Sequence, residues 1–152
     1  MHAMHPMLHQ LTAYVGKEMV SPWRQVTQEE ITTFADITGD RQWIHVDVER
    51  ARRESPYGGT IAHGFFTLSL SSKLLREAVG AIEGTRMGIN YGLNKVRFPS
   101  ALPSGSMVRA RCTLQRLDPA DGGVQATWNV MIERDGSAKP CCAAEWLVRY
   151  LL

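Results

Sequence analysis

A carboxylate and an imidazole stand five residues apart in the sequence, at Asp40 and His45. Gly39, directly before Asp40, is the residue type that ends a helix in the left-handed conformation, so both side chains follow a helix terminus. A turn at that point can direct both groups toward one position, where they can act as a general acid and base. Asp after Gly is also common turn chemistry, so the spacing alone leaves a purely structural interpretation open.

A second segment, Gly58–Ser69, reads GGTIAHGFFTLS and leads into an apolar stretch. Gly64 is predicted to begin a helix, where its backbone amide has no intrahelical acceptor and lies at the positive end of the helix dipole. Without a side chain to obstruct it, such an amide can stabilise an oxyanion. In the alternative interpretation the glycines simply let the loop turn tightly before the helix.

The helix that precedes Asp40 has strong start and stop signals. Thr27 is the predicted N-cap, and Glu30 completes a capping box three residues later. Val26 and Ile31 occupy the two positions of a hydrophobic staple, and Gly39 ends the helix. The turn that carries Asp40 is therefore predicted to be well defined.

Two further helices are predicted before the sheet. Asp47 can cap a short helix through Val48 to Arg53. A third helix should begin near Gly64 and run to about Val79, apolar nearly all round in its first half and charged only in its second. A helix with that pattern is buried at its first end.

From Arg86 onwards the apolar pattern alternates with period two, which is typical of half-buried strands. The clearest runs are Val108, Ala110, Cys112 and Leu114, followed by Val124, Ala126, Trp128, Val130 and Ile132. Short turns separate the strands, which requires antiparallel neighbours. The sum is an α+β fold, with an antiparallel sheet, one long buried helix across it and short helices before that helix. Gly92 is expected to mark either a bulge in a bent strand or a place where a ligand comes close.

Composition limits the partners that the chain can have. It has 152 residues, a mass of 17.0 kDa and a net charge of +2, which predicts one domain over 1–152 and gives no electrostatic reason to expect a nucleic-acid binder. No run of about 18 apolar residues predicts a membrane span, and no secretory leader is visible. Three cysteines are too few for a disulfide framework and are expected to be small buried hydrophobes. We therefore expect a cytoplasmic protein.

The first ten residues are expected to be a flexible extension of the domain. His2, His5 and His9 lie in it, and an extension without a fold cannot hold them as metal ligands. No metal site is predicted.

The two motifs together resemble one enzyme family. Gly39-Asp40 with His45, then Gly58-Gly59-Thr60-Ile61-Ala62-His63-Gly64 and a hydrophobic helix, resemble the MaoC-like dehydratases, specifically their nodulation-protein-N-like subgroup. These are (R)-specific enoyl-CoA hydratases with a hotdog fold, an antiparallel sheet wrapped around a central helix. The resemblance is clear from about Val20 to Arg97. At Gln42-Trp43 the chain departs from the Asn-Pro of many members.

The resemblance implies roles for single residues. Asp40 and His45 match the catalytic dyad, and Gly64 matches the glycine whose amide binds the thioester oxygen. Ser69 matches a serine that lines the active site, although its hydroxyl can also bond back to the preceding helical turn. His63 also lines the site and is interpreted as a structural residue at the helix entry rather than as a proton carrier.

The implied reaction adds water reversibly to a trans-2-enoyl-CoA thioester, giving the (R)-3-hydroxyacyl-CoA. It requires no cofactor, and a homodimer is expected. Two alternatives remain open at this point: an acyl-CoA thioesterase on the same fold, and a non-catalytic acyl-CoA binding module. The candidates for contacting the CoA phosphates are Arg50, Arg52, Arg53, Lys95, Arg97, Arg109 and Arg111.

Overall fold

Alternating apolar residues form the centre of an antiparallel sheet in the computed structural model, which describes residues 4–152. The three central strands are β4 (Met107–Ala120), β5 (Gly123–Arg134) and β6 (Cys142–Leu151). Every second residue in the predicted apolar runs of β4 and β5 is buried. The period-two prediction is therefore confirmed, because each strand turns one face toward the core and the other away from it.

The sheet runs in the order β1-β4-β5-β6-β3, where β1 is Glu18–Val20 and β3 is Met87–Arg97. A short strand β2 (Arg24–Gln25) also pairs with β4, and all these pairings are antiparallel. Within the described residues β3 has β6 as its only neighbour and forms one edge of the sheet. Its register shifts between Asn90 and Gly92, which confirms the predicted bulge there.

The helix before Asp40 forms as predicted and is named α2 (Gln28–Thr38). The Thr27 hydroxyl accepts from the Glu30 amide at 3.2 Å, and the Glu30 carboxylate accepts from the Thr27 amide at 2.9 Å. Gly39 ends the helix with φ 78°, in the left-handed region that glycine adopts without a steric penalty. The capping box and the glycine stop are confirmed.

The single long helix predicted from Gly64 to about Val79 is instead two consecutive helices, α5 (Gly64–Ser69) and α6 (Ser71–Val79). The Ser69 hydroxyl donates to the Phe66 carbonyl at 2.6 Å, the acceptor that the Leu70 amide would use in a continuous α-helix. The Leu70 amide turns to the Thr67 carbonyl at 3.2 Å. This bond between residues three positions apart tightens the helical turn at Leu70. Together α5 and α6 form the central helical segment across the sheet.

The flexible extension predicted over residues 1–10 is wrong for the part that the structure describes. Helix α1 (Pro6–Tyr14) buries Met7 and Leu11 completely against the core. His5 caps it, because its Nδ1 accepts from the Met7 amide at 3.3 Å. Two apolar side chains four residues apart, with Pro at the first helical position, account for this helix. Residues 1–3, with His2, lie outside the described residues.

The segment between α2 and α5 contains two short helices. They are α3 (Trp43–Val46), which the sequence analysis did not predict, and α4 (Val48–Glu54), which the Asp47 carboxylate caps as predicted by accepting from the Arg50 amide at 3.0 Å. The guanidinium of Arg50 lies 4.3 Å from the centre of the Trp43 ring. Within residues 4–152, none of the helices is long and apolar enough to span a membrane.

Candidate active site

His45 is held in one tautomer by a backbone carbonyl. It lies in α3, is 8% exposed, and its Nδ1 is 2.7 Å from the carbonyl oxygen of Ile61. A carbonyl oxygen only accepts hydrogen bonds, so Nδ1 carries the proton and donates it. The other ring nitrogen, Nε2, therefore has a free lone pair when the imidazole is neutral, and it can accept a proton.

The backbone at His45 is fixed from helix α2. The Gln28 side-chain amide donates to the His45 carbonyl at 2.7 Å, and the Gln28 amide oxygen accepts from the hydroxyl of the buried Thr60 at 2.5 Å. Gln28 is not predicted from the sequence, because a glutamine in the first turn of a helix matches no motif. No signal in the sequence pairs it with residues 17 and 32 positions away.

Asp40 follows Gly39 with an exposed side chain, and its backbone carbonyl accepts from Nε2 of His63 at 2.9 Å. One oxygen or nitrogen atom from each of Asp40, His45 and His63 lies within 4.8 Å of the other two. The structure therefore brings the two predicted acid/base residues, Asp40 and His45, together, and His63 lies beside them. The cluster of these three residues is called the acid/base group.

His63 stands at the N-terminus of α5, as predicted, and is 4% exposed. Its ring stacks on the ring of His45, with the centroids 3.8 Å apart and the planes inclined by 25°. Because Nε2 faces a carbonyl oxygen, the proton of the neutral ring is on Nε2. Nδ1 is buried and has no hydrogen-bond partner within the described residues.

Burial of the imidazole lowers the pKa of His45 below its ordinary 6.5, and the neighbouring His63 lowers it further. The Ile61 carbonyl and the Asp40 carboxylate raise it, and the net direction is downward. Burial acts this way because it penalises the charged form. The ring is therefore neutral at neutral pH, the state in which Nε2 can act as a base.

Gly64 is the first residue of α5, and its amide donates no hydrogen bond within residues 4–152. A β-carbon at this position would lie 3.0 Å from the Phe98 ring, closer than side chains normally approach. Glycine therefore lets Phe98 pack against the helix start. The residue predicted as the oxyanion donor is next in the chain to His63.

Ser69 lines a cavity of about 360 Å³ between the two central helices and the bent strand β3. Phe65, Leu68, Tyr91 and Leu93 also line this cavity, and neither Asp40 nor His45 does. The hydroxyl of Ser69 makes the back-bond to Phe66 described above, which was the alternative that the sequence left open. Ser69 thus shapes an apolar cavity near the helices and does not join the acid/base group.

A carboxylate and two imidazoles within 4.8 Å are a possible donor set for a metal ion. The stacking of the His45 and His63 rings opposes such a site. A histidine nitrogen binds a metal ion through a lone pair that lies in the plane of its ring. The two ring planes here are stacked, so an ion at about 2.0–2.1 Å from a nitrogen of each ring would lie outside the plane of at least one ring. The arrangement is better suited to proton transfer.

The other candidate groups have different partners. Of the proposed phosphate-binding arginines, Arg50 and Arg52 pair with Glu54 and Glu49 on helix α4, both at 2.9 Å. Arg109 and Arg111 pair with Glu133 on the neighbouring strand. The remaining candidates, Arg53, Lys95 and Arg97, form no ion pair within the described residues.

Cysteine chemistry does not compete with the acid/base group. All three thiols are buried, as predicted, and burial raises the pKa of Cys112 and Cys142 to about 12 and that of Cys141 to about 11. The thiolate is the nucleophilic form, and it is scarce at neutral pH with such values.

A family model for the MaoC-like domain matches residues 11–133, which contain the whole acid/base group. The chain belongs to the MaoC-like dehydratase family. It is a hydro-lyase of that family with a hotdog fold, so the family resemblance in the sequence is confirmed. The roles of single residues are not decided by this match and stay predictions.

Curated relatives of this MaoC-like dehydratase are similar over nearly their full length. The chain is 51% identical over 143 residues to a protein of Mycobacterium tuberculosis (strain ATCC 25618 / H37Rv) named 3-hydroxyacyl-thioester dehydratase Z, with 93% of each chain covered. It is 43% identical over 135 residues to nodulation protein N of Rhizobium leguminosarum bv. viciae, covering 88% of this chain and 84% of that protein.

Solved structures share the fold of this MaoC-like dehydratase at low sequence identity. The (R)-hydratase from A. caviae superimposes with a TM-score of 0.71 at 23% identity and covers 88% of this chain and 94% of its own. A monoamine oxidase regulatory protein of Archaeoglobus superimposes with a TM-score of 0.76 at 21% identity, with 90% of each chain covered.

We predict that His45 titrates below pH 6.5 and that Asp40→Asn lowers its midpoint further. Burial disfavours the imidazolium, and the substitution removes the negative charge that stabilises it. The measurement is a pH titration of the His45 ring nitrogens by NMR in both proteins. A midpoint at or above 6.5 in the wild type, or an increase in Asp40→Asn, would contradict the electrostatic description of the site.

Proposed function

We propose that this MaoC-like dehydratase catalyses the reversible, (R)-specific hydration of a trans-2-enoyl-CoA thioester to the (R)-3-hydroxyacyl-CoA. The observation that carries the proposal is the free Nε2 of a neutral, buried His45 beside the carboxylate of Asp40. Water addition needs a group that takes a proton from water and a group that gives one to carbon. An imidazole and a carboxylate within reach of one water molecule meet both needs.

The similar proteins support the choice of substrate class. One relative is named as a dehydratase of 3-hydroxyacyl thioesters, and its similarity covers 93% of each chain. The (R)-hydratase from A. caviae shares the fold, although its 23% identity supports the architecture alone. We carry the thioester substrate over from the first protein and propose the (R) configuration from the family resemblance of the two sequence motifs.

In the proposed reaction a water molecule lies between Asp40 and His45. Its oxygen forms a bond to C3 of the enoyl group while one of its protons moves to the acid/base pair. The π electrons shift to the C2–C1 bond and place negative charge on the thioester oxygen. A proton then reaches C2 from the same pair, and the reverse sequence of these steps is dehydration.

Charge develops on the thioester oxygen only as the reaction proceeds, so a donor aimed at that oxygen stabilises the transition state more than the substrate. The amide of Gly64, which has no acceptor within residues 4–152, is the proposed donor. The contacts of the preceding residue, His63, with Asp40 and His45 support this proposal. Because the substrate brings its own activated double bond, we propose that no cofactor takes part.

We also propose a homodimer, as the partner that covers the edge strand β3. Several apolar residues on or beside this strand are more than two-fifths exposed, and Phe65 is 73% exposed. The others are Met87, Ile89, Tyr91, Leu93 and Phe98. An exposed, apolar edge strand is a template for pairing with a second strand, and an identical edge meets that need in a symmetric pair.

The reaction is tested with crotonyl-CoA while enone absorbance and free thiol are followed together. We expect absorbance to fall without thiol release, the (R)-3-hydroxy thioester as product on a chiral column, and full activity in the presence of a chelator. Asp40→Asn and His45→Gln should each reduce kcat by about 10² or more, because each removes acid/base catalysis.

Asp47→Asn and His9→Gln are the matched controls, since both side chains are exposed and lie outside the acid/base group. Both controls should keep wild-type rates. Thiol release in step with turnover would favour the thioesterase, and an (S) product would contradict the stereochemical proposal. No turnover of crotonyl-CoA or of longer trans-2-enoyl-CoA thioesters would favour a binding module.

The dimer is tested by light scattering, which should report about twice the chain mass of 17.0 kDa. Ile89→Lys introduces a charge on the exposed edge strand and should shift the protein toward the monomer. Ile37→Lys, on helix α2 at a position that is 79% exposed, should leave the mass unchanged. A monomeric wild type at all concentrations would contradict this proposal.

A further inference from the structure

A buried histidine, His63, contacts both predicted acid/base residues and immediately precedes the proposed oxyanion donor. We infer that His63 is the positioning residue of the site: it keeps the Asp40 backbone, the His45 ring and the Gly64 amide in fixed positions relative to one another. This inference rests on the proposed function and adds a role for a residue that does not itself touch the reacting atoms.

The first contact fixes the start of the loop that carries the pair. Nε2 of His63 donates to the Asp40 carbonyl at 2.9 Å, directly after the left-handed turn at Gly39. The carboxylate of Asp40 is exposed, and within residues 4–152 its amide donates one long hydrogen bond, 3.4 Å to the Thr38 hydroxyl. The hydrogen bond from His63 therefore restrains the backbone from which the Asp40 carboxylate projects.

The second contact fixes the plane of the His45 ring. The bond from Nδ1 of His45 to the Ile61 carbonyl holds one edge of the ring. Stacking on His63, with the centroids 3.8 Å apart, supports one face of the ring. The His63 ring also contacts Phe34 of helix α2, with the ring centroids 5.0 Å apart.

The third element is the backbone that continues into α5. The His63 carbonyl accepts from both the amide and the hydroxyl of Thr67, at 3.1 and 3.2 Å. This double acceptance fixes the first turn of the helix, and the Gly64 amide belongs to that turn. The ring contacts of His63 therefore connect the acid/base pair to the helical turn that carries the oxyanion donor.

The surroundings of His63 combine polar and aromatic groups. The titratable groups that face its ring are Asp40 and His45, both from the segment after α2. Helix α2 contributes the ring of Phe34, and α5 contributes Thr67. Asp36 in α2 and Arg41, the residue after Asp40, are half exposed and pair with each other.

Two substitutions separate the contacts. His63→Phe keeps a flat ring for stacking on His45 and removes the donor to Asp40. His63→Gln keeps a donor that can reach the Asp40 carbonyl and removes the ring. Each should reduce kcat by about tenfold to a hundredfold with KM nearly unchanged, because small misplacements of catalytic groups slow the reaction and neither contact binds substrate.

The readout that is independent of activity is the NMR titration of His45 in both variants. Removal of the neighbouring imidazole should raise the His45 midpoint, more in His63→Gln, where the ring no longer shields His45 from water. Circular dichroism establishes that each variant is folded, and each is judged on its own, so one unfolded variant leaves the other as the test. His9→Gln serves as the control and should change neither kcat nor the midpoint.

The possible results separate the two proposals. A wild type without hydratase activity overturns the proposed function, and the His45 titration then decides the role of His63. A purely structural His63 would lower the melting temperature of the variants but leave kcat per folded molecule and the His45 midpoint unchanged. That result in either folded variant would overturn the inference.

Discussion

The hydrogen bond from Nδ1 of His45 to the Ile61 carbonyl joins the two sequence motifs, and the chemistry of the site depends on it. A carbonyl oxygen cannot donate, so this bond leaves Nε2 as the free acceptor of the neutral ring. Ile61 is itself held in extended structure, because its amide donates to the Ile44 carbonyl at 3.1 Å and it bridges to Pro103. The Nδ1 side of His45, the proposed base, is therefore oriented by a backbone carbonyl.

Burial and hydrogen bonding have opposing effects at His45. Burial lowers its pKa, while the Ile61 carbonyl and the Asp40 carboxylate raise it, and burial has the largest effect. An exposed Asp40 beside a buried His45 places two titratable groups in different environments, a pattern by which enzymes separate acid and base roles. In the fold the His45 side chain is buried, whereas the Asp40 side chain is exposed.

The sequence was sufficient for elements whose signals are local. The capping box at Thr27, the glycine stop at Gly39 and the alternation in β4 and β5 each depend on residues close in the chain, and all three are confirmed. The interruption of the helix at Leu70 was not predicted, because it depends on a single hydrogen bond from the Ser69 hydroxyl to the Phe66 carbonyl, which the Leu70 amide would otherwise use. Helix α1 was missed because chain ends were assumed to be flexible, although Met7 and Leu11 have helical spacing.

The candidate site could be predicted only in part for a similar physical reason. Spacing pointed to Asp40, His45 and Gly64, since each stands in a recognisable local motif. The stacking of His63 on His45 and the bonds of Gln28 to His45 and Thr60 join residues that are 17 to 32 positions apart, and no periodicity in the chain encodes them. These long-range contacts are what convert two motifs into one site.

The most direct test of the central claim is hydration of crotonyl-CoA in D₂O, followed by stereochemical analysis of the product. If Asp40 and His45 both act from one side of the substrate, the deuterium at C2 and the hydroxyl at C3 are added to the same face. A product with deuterium and hydroxyl on opposite faces, or an equal mixture of both, would contradict the account.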